Sequence, residues 1–363
     1  MMRKISDGKI GVREFAAIVL FATGLKATDT TPDLFIFKGE NAAWIVAFLS
    51  TLVCAVPLAI TIRLVSKRKQ ELTDVIYTLT GKWFGTLIMA MLAFFVIFGN
   101  FINSRSYVDI INTMYYDNTP IPALFLLLMA ATVFVAKRGL ETIGRSAWLI
   151  IWPVLFSQVL LTWFVWDEVR WGALAPIAGA GVKDLISGGL NYYSVFTEPI
   201  VLAIFYCNVR NNRSFTRGSW IGLGVSAAWI IFYFALYVAI FDYPAVRQLN
   251  YPYHQLARMA QAGTITHLES LFLGFWVIGT VIHFAIYLYF SAYFFAKLFR
   301  LTEFEPLILP LAGFILLAGL KPDNIITLNA FRDTFLRSGS VMFFALPVLL
   351  WALDFWKGRV KES

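Results

Sequence analysis

Inside the apolar run NYYSVFTEPIVLAIFYCN (191–208), Glu198 is followed at once by Pro199. A carboxylate in so greasy a segment is expensive unless it faces a partner or a cavity. Proline lacks an amide hydrogen, and its ring crowds the carbonyl of Val195 four residues earlier, so the helix is expected to kink or break there. A second charge of opposite sign, Lys26, follows the apolar stretch GVREFAAIVLFATGL (11–25) and opens KATDTTPDLF (26–35). Glu198 is suited to hold a ligand ammonium or to carry a coupling proton. Equally, it can pair with Lys26 or accept a hydrogen bond from a tyrosine. Lys26 has the mirrored choice, a carboxylate anchor or the permanent partner of Glu198; pairing would offset the desolvation of both. Around these charges Gly24, Thr28 and Asp29 mark the first break, and Tyr193 and Phe196 flank the second. His283 and Tyr287, four apart in another apolar run, are candidates to line the same cavity.

Arg105 and Asp109 are also four apart and share a helix face, which favours a local ion pair with a structural or gating role. Little else has chemical promise. His254, His267 and His283 have no metal-ligand spacing with one another or with cysteine, so no metal is expected. Cys54 and Cys207 lie in apolar runs and read as small buried hydrophobes rather than as a disulfide. No connection carries a nucleophile–base pair or a phosphate loop. The residues point away from an enzyme and call for no cofactor.

The elements that must hold these residues are membrane helices. Hydrophobic residues make up 59% of the 363 and charged ones only 14%, where a soluble domain carries about 25%. A formal charge of +8 invites a nucleic-acid reading, but the basic residues cluster in short connections, as membrane topology requires. Crossing about 30 Å of hydrocarbon takes roughly 20 apolar residues. The chain reads as one transmembrane domain, 1–363, with ten spans: 12–35, 41–65, 83–112, 120–136, 145–166, 186–209, 217–241, 267–297, 304–320 and 336–356. Lys and Arg are concentrated in 3–13, 63–82, 137–145, 210–217, 297–300 and 357–361, which puts both termini in the cytoplasm. Arg332 and Arg337 fall with the outer connections on this reading. The first span reads as an uncleaved helix. The stretch YPYHQLARMAQAG (251–263) has amphipathic spacing and is expected to lie along the outer membrane face. Gly218 and Gly222 have the spacing of a close helix contact.

Spans one and six are five apart and so cross in opposite directions. Broken helices at matching places of two halves point to a 5+5 inverted repeat with the ligand at the breaks. Unwound carbonyls and half-helix ends there suit a small zwitterion or a cation.

Residues 251–317, YPYHQLARMAQAGTITHLESLFLGFWVIGTVIHFAIYLYFSAYFFAKLFRLTEFEPLILPLAGFILL, resemble the spore germination permeases, the B subunits of nutrient germinant receptors in endospore-forming bacteria. The third-span ending NSRSYVDIINTMYYDNTPIP (103–122), with Arg105 and Asp109, is similar to the same family. The resemblance implies an all-α integral membrane fold of the amino acid–polyamine–organocation type, in a leucine-transporter-like arrangement. It implies recognition of a small nutrient germinant, typically an amino acid such as L-alanine, beside A and C partner subunits in the spore inner membrane. Lys26 departs from the small or apolar residue expected in the family's first-span break, which argues against a plain L-alanine pocket. A free-standing proton-coupled transporter for an amino acid or amine is the alternative.

Overall fold

The computed structural model describes residues 8–260, 268–322 and 325–362; Arg3, Lys4 and His267 lie outside the described residues. The chain is helical almost throughout. Its α-helices are α1 (Val12–Gly24), α2 (Thr31–Gly39), α3 (Ala43–Arg68), α4 (Leu72–Met114), α5 (Ile121–Ala136), α6 (Leu140–Phe164) and α7 (Val182–Tyr192). After them come α8 (Glu198–Val201), α9 (Asn212–Phe241), α10 (Tyr243–Val246), α11 (Pro252–Met259), α12 (Glu269–Phe299), α13 (Ile308–Gly319) and α14 (Ile325–Glu362). Among the described residues six helical stretches are long and apolar enough to cross a membrane, namely Thr31–Arg68, Leu72–Met114, Leu140–Phe164, Asn212–Phe241, Glu269–Phe299 and Leu328–Lys357. Shorter apolar helices cover Ile121–Ala136, Glu198–Asn208 and Glu305–Gly319. The outside is as greasy as the inside: Trp83, Leu149, Trp163 and Val341 are 73–85% exposed. Such a surface would aggregate in water and is suited to lipid.

Two places depart from regular helix. The side-chain carboxylate of Glu14 accepts the Gly11 N–H at 2.9 Å and closes the first turn of α1. After Gly24 the chain tightens into a 3-10 turn, Leu25–Ala27, and leaves helical geometry before α2. Asp29 Oδ1 accepts the Thr31 N–H at 2.6 Å, and Pro32 stands in the first turn of α2, where its missing amide costs nothing. The second departure begins at Tyr193. A 3-10 stretch, Tyr193–Phe196, precedes α8, which has Pro199 in its first turn, and another, Leu202–Asn208, follows it. Proline serves both restarts for the same reason.

α1 sits in the middle, packed against α9, α6 and α12. Its approach to α9 is close because Gly218 faces Phe15 and Gly222 faces Val19 and the carbonyl of Ala16. The long α12 also packs on α4, α5 and α6, and α14 packs on α3, α4 and α7. α4, at 43 residues, would be about 65 Å long if straight, but Gly81, with φ 78°, breaks it near its start. A parallel bridge joins Ile10 to Val209, with Ile10 N–H to Asn208 O and Arg210 N–H to Ile10 O both at 3.0 Å. On the far side of the breaks Lys38 of α2 pairs with Asp184 of α7 at 2.5 Å.

Two expectations need correction. α11 does not lie along a surface: Tyr253, His254, Leu256 and Ala257 are buried. Tyr253 accepts a hydrogen bond from Gln158 at 2.5 Å, and His254 meets the Tyr115 hydroxyl at 2.9 Å. The polar atoms of these two side chains find their partners inside the bundle, which is what draws the helix in. The cysteines differ from each other. Cys54 is buried and its thiol donates to Phe196 O at 3.2 Å, whereas Cys207 is exposed at the end of the second irregular stretch.

Candidate functional site

Proline at 199 leaves the carbonyl of Val195 without the amide that a continuous helix would supply. Lys26 takes that place: its Nζ donates to Val195 O at 2.7 Å and to Glu198 Oε1. The same carboxylate oxygen accepts the Tyr287 hydroxyl at 2.7 Å, and Oε2 accepts Thr23 Oγ1–H at 3.2 Å. Lys26, at 5% exposed, and Glu198, at 7%, thus form an ion pair inside the protein. Truncating one partner of such a pair strands the other charge and typically costs about 3–5 kcal/mol.

A second buried pair stands beside it. Arg332 of α14 reaches Asp29 Oδ2 through Nη2 at 2.6 Å. It also donates to Thr31 Oγ1 and Thr30 Oγ1, each at 2.6 Å. Between the two pairs lies a cavity of about 50 Å³. A water needs roughly 10–15 Å³ by this measure, so the space takes a few waters or a compact organic group. Lys26, Glu198, Tyr287, Thr31, Arg332 and Asn103 line its polar side, with Ser194 and Thr197. Phe95, Phe290, Phe335, Leu336 and Phe343 line its apolar side.

Three of the residues singled out in the sequence, Lys26, Glu198 and Tyr287, therefore share the cavity wall. Several of the others hold the wall in place. Thr28 accepts the Trp276 indole N–H at 2.9 Å and donates to Leu25 O at 2.7 Å. Asp29 anchors Arg332. Tyr193 donates to Ser340 O, and Phe196 is fully buried beside Cys54. His283 Nδ1 lies 2.7 Å from Phe21 O, so Nδ1 carries the proton and donates. Gly24 borders a different small cavity, with Gln158 and Trp229. Arg105 and Asp109 form their own i,i+4 pair on α4 at 3.1 Å, away from the cavity wall. Further carbonyls of the first break are held by tyrosines: Tyr107 donates to Leu25 O at 3.2 Å and Tyr237 to Ala27 O at 2.8 Å.

Arg332 escaped the sequence reading. The one available signal was an arginine embedded in NAFRDTFLRSGS (329–340), at the head of the last apolar run, next to a carboxylate at Asp333. Among the described residues no cluster of three or more His, Cys, Asp or Glu is placed to hold a metal.

The family model for spore germination proteins matches residues 14–325. The chain belongs to the spore germination permease family. Among curated relatives it is similar to spore germination protein YndE of Bacillus subtilis strain 168, 22% identical over 77% of this chain and 78% of that protein. Putative spore germination protein YfkT of the same organism is 23% identical, and spore germination protein KB 20% identical. The chain spans about half the length of these two, 53% and 51%. Solved structures share the fold. Mhp1, a nucleobase-cation-symport-1 family transporter closed around bromovinylhydantoin, superposes with a TM-score of 0.66 at 16% identity over 96% of this chain and 78% of that one. MhsT in complex with L-phenylalanine gives 0.54 at 18% identity over 96% and 90%. The Eremococcus coleocola manganese transporter gives 0.59 at 10% identity over 94% and 77%. This family member is thus an integral membrane protein with a leucine-transporter-like fold, and its family is one of permeases and germination proteins rather than of enzymes.

Proposed function

We propose that this chain is the membrane subunit of a spore germinant receptor, and that it recognises a small nutrient, an amino acid, in the cavity between the two helix breaks. In this reading the chain crosses the membrane ten times with both termini cytoplasmic. α1 with α2 forms the first span and α7 with α8 and its 3-10 continuation the sixth, as the equivalent broken helices of an inverted repeat. A and C receptor subunits are its partners, in keeping with its similarity to protein KB. The observation that carries the proposal is the buried Lys26–Glu198 pair, which stands on the wall of a cavity that phenylalanines also line. A purely structural pair has no need of a cavity, whereas a zwitterion with an apolar side chain needs all three.

Binding of a panel of L-amino acids to the purified protein, followed by uptake in proteoliposomes, tests it. Saturable binding without uptake is the expected outcome. Failure to bind any nutrient would leave only a scaffold for partner subunits. A second reading, a free-standing carrier coupled to protons through Glu198, is favoured by the likeness to solute transporters. Uptake driven by a pH gradient would establish it instead.

A further inference from the structure

We propose that Arg332 is the anchor for the carboxylate of the ligand, the contact by which the site tells an amino acid from the amine that lacks that group. This rests on the reading above that a nutrient occupies the cavity. The charged side chains on the cavity wall have nearly all their hydrogen-bonding capacity accounted for. Lys26 gives to Glu198 and Val195 O, and Glu198 accepts from Lys26, Tyr287 and Thr23. Two of the smaller polar groups are similarly engaged: Ser194 Oγ donates to Leu336 O at 2.6 Å and Thr197 Oγ1 to Ser194 O at 2.8 Å.

Arg332 is different. It is 3% exposed, and both terminal nitrogens are taken by Asp29, Thr30 and Thr31. Its Nε–H has no hydrogen-bond partner among the described residues, although the side chain lines the cavity. Guanidinium N–H groups are strong donors with no acceptor capacity, and a buried one left unmade is costly. What Arg332 Nε lacks is thus an acceptor, and an anionic acceptor makes the stronger bond to a guanidinium. The cavity has room for a compact group only, and Glu198 stands on the same wall, so a monoanionic carboxylate fits where a dianionic phosphate would be repelled. The three contacts to Asp29, Thr30 and Thr31 fix the guanidinium plane in advance, so little ordering is left for binding. The ligand ammonium then competes with Lys26 for Glu198, and the apolar group meets Phe95, Phe335 and Phe343.

The assignment is tested by calorimetry on the purified full chain. L-Alanine, L-valine and L-leucine are each compared with the amine that lacks only the carboxylate: ethylamine, isobutylamine and isoamylamine. Wild type is expected to bind at least one amino acid about tenfold or more tightly than its amine. Asp29→Asn keeps the arginine and removes the charge that competes for it. The amide oxygen of the new side chain can still accept from the guanidinium, and the preference for amino acid over amine should grow. Asp29→Asn/Arg332→Gln removes both charges together, which avoids stranding either one, and should bring the amino acid down to the level of the amine. Glu198→Gln should weaken both ligands alike. Equal affinity of amino acid and amine in wild type, or a preference that survives in the folded double variant, would overturn the role of Arg332 while leaving the germinant reading intact. Binding of no amino acid and no amine would overturn the germinant reading, and this assignment with it.

Discussion

The ammonium of Lys26 lies 2.7 Å from the carbonyl oxygen of Val195, the carbonyl that Pro199 cannot serve. The break in one helix thereby supplies the acceptor for the charge in the other. Restoring an amide at 199 should undo this. In Pro199→Ala the new N–H competes for Val195 O, the second break becomes more regular helix, and Lys26 is left with Glu198 alone. Hydrogen exchange measures the change directly: the amide at 199 is expected to be strongly protected. Rapid exchange at that amide would show that the break does not depend on proline.

The Lys26–Glu198 pair is also open to a double-mutant cycle. Lys26→Met or Glu198→Gln alone should each destabilise the protein by about 3–5 kcal/mol, because each strands a buried charge. Together they should cost clearly less than the sum, with a coupling of at least about 1.5 kcal/mol, within the range seen for contacting residues. Denaturation in detergent provides the readout. Additive losses would mean that the two side chains do not pair in the folded protein.

Much of this site was legible in the sequence, and the limits of that reading are physical. Lys26 and Glu198 stand out because each interrupts an apolar run next to residues that break helices. No ordinary lipid-facing segment tolerates both. Arg332 does not stand out. A basic residue near the start of a terminal apolar run looks like a flanking charge, and its partner Asp29 lies 303 residues away in the chain. The burial of α11 was hidden for a related reason. Its periodicity shows that one face is apolar, but spacing alone cannot say whether that face meets lipid or protein. Tyr253 and His254 find Gln158 and Tyr115 only once the bundle exists. The exposure of Cys207 depends in the same way on the irregular stretch ending at Asn208, which an unbroken helix would have lacked.

The two cysteines should report the topology. Cys207 is exposed near the Ile10–Val209 bridge, and Cys54 is fully buried. A membrane-impermeant maleimide is expected to modify Cys207 in inside-out vesicles and not in right-side-out ones, with Cys54 untouched in both. Mass spectrometry of the tryptic peptides distinguishes the sites. Modification from the outer face would reverse the proposed orientation.

Glycines on α9 should respond according to their neighbours. A Cβ at Gly222 would meet Val19 and the carbonyl of Ala16, whereas at Gly224 nothing lies within 4 Å. Gly222→Ala is therefore expected to destabilise by about 1–3 kcal/mol through overpacking. Gly224→Ala should be neutral or gain up to about 1 kcal/mol from helix propensity. Thermal unfolding of the two variants beside wild type decides, and equal effects would remove the close α1–α9 contact from consideration.

The most direct measurement is an experimental structure of the purified protein with a bound L-amino acid drawn from the calorimetric panel. Density is expected between Glu198, Tyr287 and Arg332, with the ammonium on the Glu198 side, the carboxylate within hydrogen-bond distance of Arg332 Nε and the side chain against Phe335. A ligand bound elsewhere, with the Lys26–Glu198 pair intact and the cavity holding only water, would contradict the placement of the germinant site between the two breaks.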